Sequence, residues 1–167
     1  MQERHCSKNC CTSQSSQNNT SQNNTQHNMQ NRDLAYALYY QLEDITVAAN
    51  DGIDFPLTAA ESTGDFLSDG NQVQILNPGV YYVRYMVHIP AETVLTTTFA
   101  LQLNRQNVTG TERVIAKTGV DTPTSAIAET ILIVCSPVSI RVVSTAAAAI
   151  VGEEDEVLAS LFIKQLA

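Results

Sequence analysis

The segment Val80–Ile89, Val-Tyr-Tyr-Val-Arg-Tyr-Met-Val-His-Ile, reads as a β-strand and little else, because β-branched and aromatic side chains dominate it. It opens after the turn Asn77-Pro78-Gly79 and is stopped by Pro90. Side chains alternate across a strand, so Tyr81, Val83, Tyr85, Val87 and Ile89 form one unbroken apolar face, which the spacing assigns to a core. The opposite face carries Tyr82, Arg84, Met86 and His88. These are too large and amphipathic for idle surface. Tyr, Met and Arg are enriched where proteins meet, so this face is expected to contact a neighbouring subunit.

The chain around this strand repeats the same pattern in shorter pieces. Leu34–Leu42, Ile45–Ala49, Gln72–Leu76, Thr93–Leu103, Arg113–Lys117, Ala126–Cys135, Val138–Thr145 and Val157–Leu166 are strand-like and are separated by Gly, Pro and Asn turns. Ala146–Ile150 reads equally as one helical turn, a strand end or a loop. No repeated amphipathic helices occur, which excludes a parallel α/β fold. The expected class is all-β, an antiparallel sandwich or barrel. Leu158, Phe162 and Leu166 of the last strand add to the candidate contact residues, and Cys135, in an apolar run, reads as a buried core thiol.

Residues 1–33 are of another kind. Their only aliphatic side chains are Met1 and Met29, and 12–31 are almost entirely Ser, Thr, Gln and Asn, with Ser-Gln-Asn-Asn-Thr occurring twice in succession. Such a segment has no apolar surface to bury and no reason to fold alone. The expected organisation is therefore an arm, 1–33, and a head, 34–167. The arm holds Arg4, Lys8 and Arg32 against Glu3 and Asp33, a net +1; with −8 for the whole chain, the head carries −9. Six scattered basic residues on an acidic head do not make a nucleic-acid surface. The start lacks the apolar stretch of a secretory signal, and no run approaches the ~20 apolar residues of a membrane helix. Export by the usual route and a membrane partner are not expected.

Three of the four cysteines, Cys6, Cys10 and Cys11, lie in the arm. Zinc sites use paired C-x₂₋₄-C spacings to set four ligands; here there is one pair with an adjacent third cysteine. Disulfide chemistry explains the cluster better. Adjacent cysteines bond each other only with strain, and three thiols cannot pair among themselves, so an intermolecular disulfide is expected if all three oxidise. Pairing among arms is expected in preference to Cys135. Enzyme signatures are missing: there is no nucleophile elbow, zinc-binding H-E-x-x-H, P-loop or dinucleotide fingerprint. Two of the three histidines, His5 and His27, are in the arm, where no scaffold fixes them. Glu153-Glu154-Asp155-Glu156 offers carboxylates but not the ligand alternation of a calcium loop, and reads as a solvated acidic turn. No catalytic residue, cofactor or metal is expected.

Three segments carry a resemblance. They are Leu76-Asn77-Pro78-Gly79-Val80-Tyr81-Tyr82-Val83-Arg84-Tyr85, Phe99-Ala100-Leu101-Gln102-Leu103-Asn104, and the closing Ala159-Ser160-Leu161-Phe162-Ile163-Lys164-Gln165-Leu166. In order and spacing, from about Ala35 to Ala167, the head resembles the C-terminal C1q/TNF-like domain of the collagen-like exosporium glycoproteins of spore-forming bacteria. The resemblance implies a ten-strand jelly roll that associates as a trimer. It also implies a spore-surface location, with synthesis in the mother cell. Those glycoproteins have Gly-X-Y repeats before the head, whereas the first glycine here is Gly52, which excludes a collagen stalk. The Cys10-Cys11 arm is instead similar to the N-terminal connectors of endospore appendage subunits, which disulfide-link successive subunits into a fibre. The combined expectation is a self-assembling filament or layer subunit with no partner but itself. The alternative is a trimeric ligand-binding or adhesin head that the arm merely tethers.

Overall fold

The computed structural model describes residues 34–62, 64–120, 122–153 and 155–167. They form fourteen strands: β1 (Tyr36–Gln41), β2 (Ile45–Val47), β3 (Asp51–Gly52), β4 (Leu57–Glu61), β5 (Phe66–Ser68), β6 (Val73–Ile75), β7 (Gly79–Ile89), β8 (Leu95–Leu103), β9 (Gln106–Asn107), β10 (Arg113–Lys117), β11 (Thr124–Val134), β12 (Val138–Ser144), β13 (Ala148–Ile150) and β14 (Ala159–Gln165). All pairings are antiparallel. A five-stranded sheet runs β11-β7-β14-β1-β4, and a second runs β10-β8-β12-β6-β5 with β3 and β9 attached; β13 and β2 form a small third ribbon. Ala146–Ile150 thus resolves into a strand, because Ala148 and Ile150 fill core positions opposite Val47 and Ile45.

The alternation read from the sequence sets the core. Tyr81, Val83, Tyr85, Val87 and Ile89 are all buried, together with Tyr39, Leu161 and Ile163 of the same sheet. They share the core with Phe99, Leu101, Ile75, Ile140 and Val142 of the other sheet. Two buried phenols keep their hydroxyls satisfied. Tyr85 lies 2.6 Å from the Thr111 carbonyl and 3.0 Å from that of Phe99, and Tyr39 donates to Glu61 at 2.7 Å. Burial above all pushes both phenols up from their ordinary value.

Two expectations are corrected here. Leu158 is fully buried. It precedes β14, its N–H bonds the Gln41 carbonyl and its carbonyl receives the His88 N–H, so it bridges the ends of β1 and β7 and escapes the alternation that holds inside β14. It packs so closely on Gly152 that a Cβ there would stand 2.7 Å from Leu158 Cδ2. Cys135 is exposed rather than buried, because β11 ends at Val134 and Cys135 falls in the turn before β12.

The five-stranded sheet has two distinct ends. At one, Gly79 pairs with Val134, the Gln165 N–H bonds the Ala35 carbonyl, and the Val80 N–H bonds the carbonyl of Ala167. The head's first and last residues and Cys135 are therefore gathered there. At the other, Ile89 pairs with Thr124, and Gln41, Leu158 and His88 are joined by backbone hydrogen bonds.

Candidate functional site

The outer face of the five-stranded sheet is assembled by register. Ile127, Met86, Ser160 and Tyr40 form one cross-strand row; Glu129, Arg84, Phe162 and Leu38 form the next; Ile131, Tyr82, Lys164 and Tyr36 form the third. Cross-strand neighbours on one face lie within side-chain contact, so these rows make a continuous surface. Isoleucine is among the most often buried residue types, yet Ile131 is 61% and Ile133 64% exposed. These outward isoleucines beside Tyr82, Met86 and Phe162 make this face the candidate interaction surface.

Its centre is ordered by polar contacts. The Tyr82 hydroxyl donates to Glu129 Oε2 at 2.5 Å, and the Tyr82 ring meets that of Phe162 edge-on at 6.2 Å. The hydrogen bond to Glu129, aided by its charge, holds the Tyr82 phenol above its ordinary value. A hollow of about 390 Å³ opens between Leu38, Tyr82, Arg84, Met86, Ser160 and Phe162. At the end of the face His88 Nδ1 lies 3.1 Å from Ser125 Oγ, and its Nε2 lies 3.0 Å from Glu156 Oε1.

Head domains of the same architecture are known. The sequence matches no protein-family model, and it matches no curated protein. By structure the chain is similar to Eiger TNF from S. frugiperda (TM-score 0.60, 15% identity, covering 81% of this chain and 94% of that one). It is similar to murine APRIL (TM-score 0.56, 12% identity, 78% and 98%) and to the globular domain of zebrafish complement 1qA protein (TM-score 0.53, 11% identity, 81% and 97%). The fold is a TNF/C1q-like jelly roll. At these identities the likeness concerns the fold alone.

Of the contact residues expected from sequence, Tyr82, Arg84, Met86, His88 and Phe162 share this one face, and Leu166 is exposed just beyond β14. Leu158 belongs to the core instead. Cys6, Cys10 and Cys11 lie outside the described residues. Sequence reasoning passed over Ile127, Ile131, Ile133, Leu38 and Tyr40. Their signal was present: β11 alternates Ala126, Ala128, Leu132 and Val134 inward with Ile127, Ile131 and Ile133 outward, so both of its faces are apolar. Among the described residues no three His, Cys, Asp or Glu side chains are grouped to hold a metal ion.

Proposed function

We propose that the chain is a structural, non-catalytic subunit of a spore-surface filament or layer, whose heads associate as homotrimers and are linked by their arms. The observation that carries the trimer is the outer sheet face, with Ile127, Ile131 and Ile133 beside Tyr82, Met86 and Phe162. Covering these side chains with the same face of two other copies removes apolar area from water, at roughly 25 cal/mol per Å². The arm supplies the link. It has no core of its own, so docking on another chain is what orders it, and Cys6, Cys10 and Cys11 lie at its far end.

The exposure of Cys135 changes the expected pairing. Cys135 is disulfide-bonded and stands at the head's surface, so it is a position where a cross-link forms rather than a buried core thiol. Cys135 therefore joins Cys6, Cys10 and Cys11 as a candidate linkage residue. Oxidation converts a reversible stack into a covalent one.

Negative-stain microscopy of the purified chain, with and without reductant, tests this reading. Fibres or sheets are expected from the full chain, and soluble trimers after deletion of residues 1–15. Fibres unchanged by that deletion reduce the arm to a tether. Discrete trimers from the full chain favour the ligand-binding or adhesin head.

A further inference from the structure

The end of the head opposite its first residue is acidic and hollow. One cavity of about 680 Å³ is walled by the loop Pro90–Val94 and by Val151, Glu153 and Glu156. A neighbouring hollow of about 480 Å³ is lined by Glu43, Asp44, Glu153 and Asp155. The larger falls within the ~300–1,000 Å³ of ordinary binding clefts. Among the described residues six carboxylates line the two, with no lysine or arginine beside them. Lys117, which reaches the Pro90–Val94 loop, is committed to the backbone carbonyls of Ala91 and Thr93. Glu156 is fixed at both oxygens, one on His88 at 3.0 Å and one on the Glu153 N–H at 3.2 Å. Val94 and Val151, 57% and 59% exposed, add apolar walls. Fixed carboxylates beside apolar walls suit the aliphatic stems and cationic heads of Lys and Arg.

We infer that this cavity receives the basic tip of the arm, around Arg4 and Lys8, from another copy of the chain. The inference rests on the filament reading and names its receptor site. Charge supports it: the arm is net +1, with Arg4 and Lys8 against Glu3 in its first eight residues, and the head is −9. Reach supports it too. The arm leaves the head at the end where Ala35 meets Gln165, and extended it spans up to ~100 Å. β7, eleven residues long, crosses the head in about 36 Å. A head-to-tail stack sets the arm-bearing end of one head against the acidic end of the next, within that reach. Two acidic ends repel one another, so the same charges disfavour a tail-to-tail stack.

A charge-exchange experiment on the full chain tests this. One variant carries Arg4→Glu and Lys8→Glu; the other carries Glu92→Lys and Glu153→Lys, both at exposed positions that leave the His88–Glu156 pair intact. Each alone is expected to give soluble trimers, because tip and cavity now have the same sign. Mixed, they are expected to form fibres in which the two variants alternate. Assembly of the unmodified chain should slow about tenfold or more from low to high salt. Fibres from either variant alone, or none from the mixture, overturn the inference. Docking of an arm on its own head also leaves the mixture dispersed. If the 1–15 deletion still polymerises normally, it is the filament reading that fails.

Discussion

Lys117 is the clearest case of a single residue holding a loop in place. It is 8% exposed, and its ammonium donates to the carbonyls of Ala91, Thr93 and Gly119, with the latter two at 2.9 and 2.7 Å. Three donors meet three acceptors, so the charge is satisfied by peptide dipoles without a carboxylate. Lys117→Met leaves those carbonyls under-satisfied and is expected to lower stability by about 2–3 kcal/mol. The melting temperature should then fall by roughly 5–10 °C, read by thermal unfolding. Nothing in the sequence marks this lysine, since its partners are backbone atoms brought together by two loops. The buried phenols make a second residue-scale prediction. Tyr39 and Tyr85 are held above the ordinary tyrosine value, so the fold favours their protonated form. The stability they contribute is fully present below the unfolded value of about 10 and is lost as pH rises from there towards the folded value. Unfolding free energy should be level through neutral pH and fall above about pH 10, and Tyr85→Phe should make that fall shallower.

At the scale of strands, sequence periodicity carried much of the architecture. β7 was legible in full, core face and outer face alike, because ten of its eleven residues alternate without interruption between turn and proline. β4, with every residue exposed or nearly so, offered no apolar pattern and was missed. β3, β5 and β9, at two or three residues, hardly repeat the two-residue alternation of a strand. β11 was seen as a strand, but its second apolar face was not weighed, since a run apolar on both sides looks like a core strand in sequence. It lies instead at the edge of the five-stranded sheet. Arg113 Nε donates to the Ile127 carbonyl at 2.7 Å, which blunts that edge over part of its length. Ile131→Glu tests the face directly. Ile131 is exposed in the head, so its replacement should leave the melting temperature of dilute, dissociated chains within the ~0.5 kcal/mol typical of surface changes. Light scattering should nonetheless show monomer in place of trimer. A trimer unaffected by Ile131→Glu would move the interface elsewhere.

For the whole molecule, a chelator is expected to leave the melting temperature unchanged, because the described carboxylates of the acidic end carry charge without a grouped ligand set. Replacing Cys6, Cys10 and Cys11 with Ser should leave fibres that form but fall apart in denaturant without reductant. Fibres of this variant that withstand denaturant would remove the disulfide role. The order of strands in the five-stranded sheet has a further consequence, for how the head is made. Its middle strand, β14, comes after the sheet's other four strands in the chain, and it separates β1 from β7. Without β14 the sheet is two halves, β11-β7 and β1-β4, with no seam between them, and Tyr39, Tyr81 and Tyr85 stay exposed to water. Folding must wait for β14, and these long-range pairings make it slow. A chain stopped after Val157 should therefore be insoluble, whereas one lacking the same number of residues from its beginning should fold.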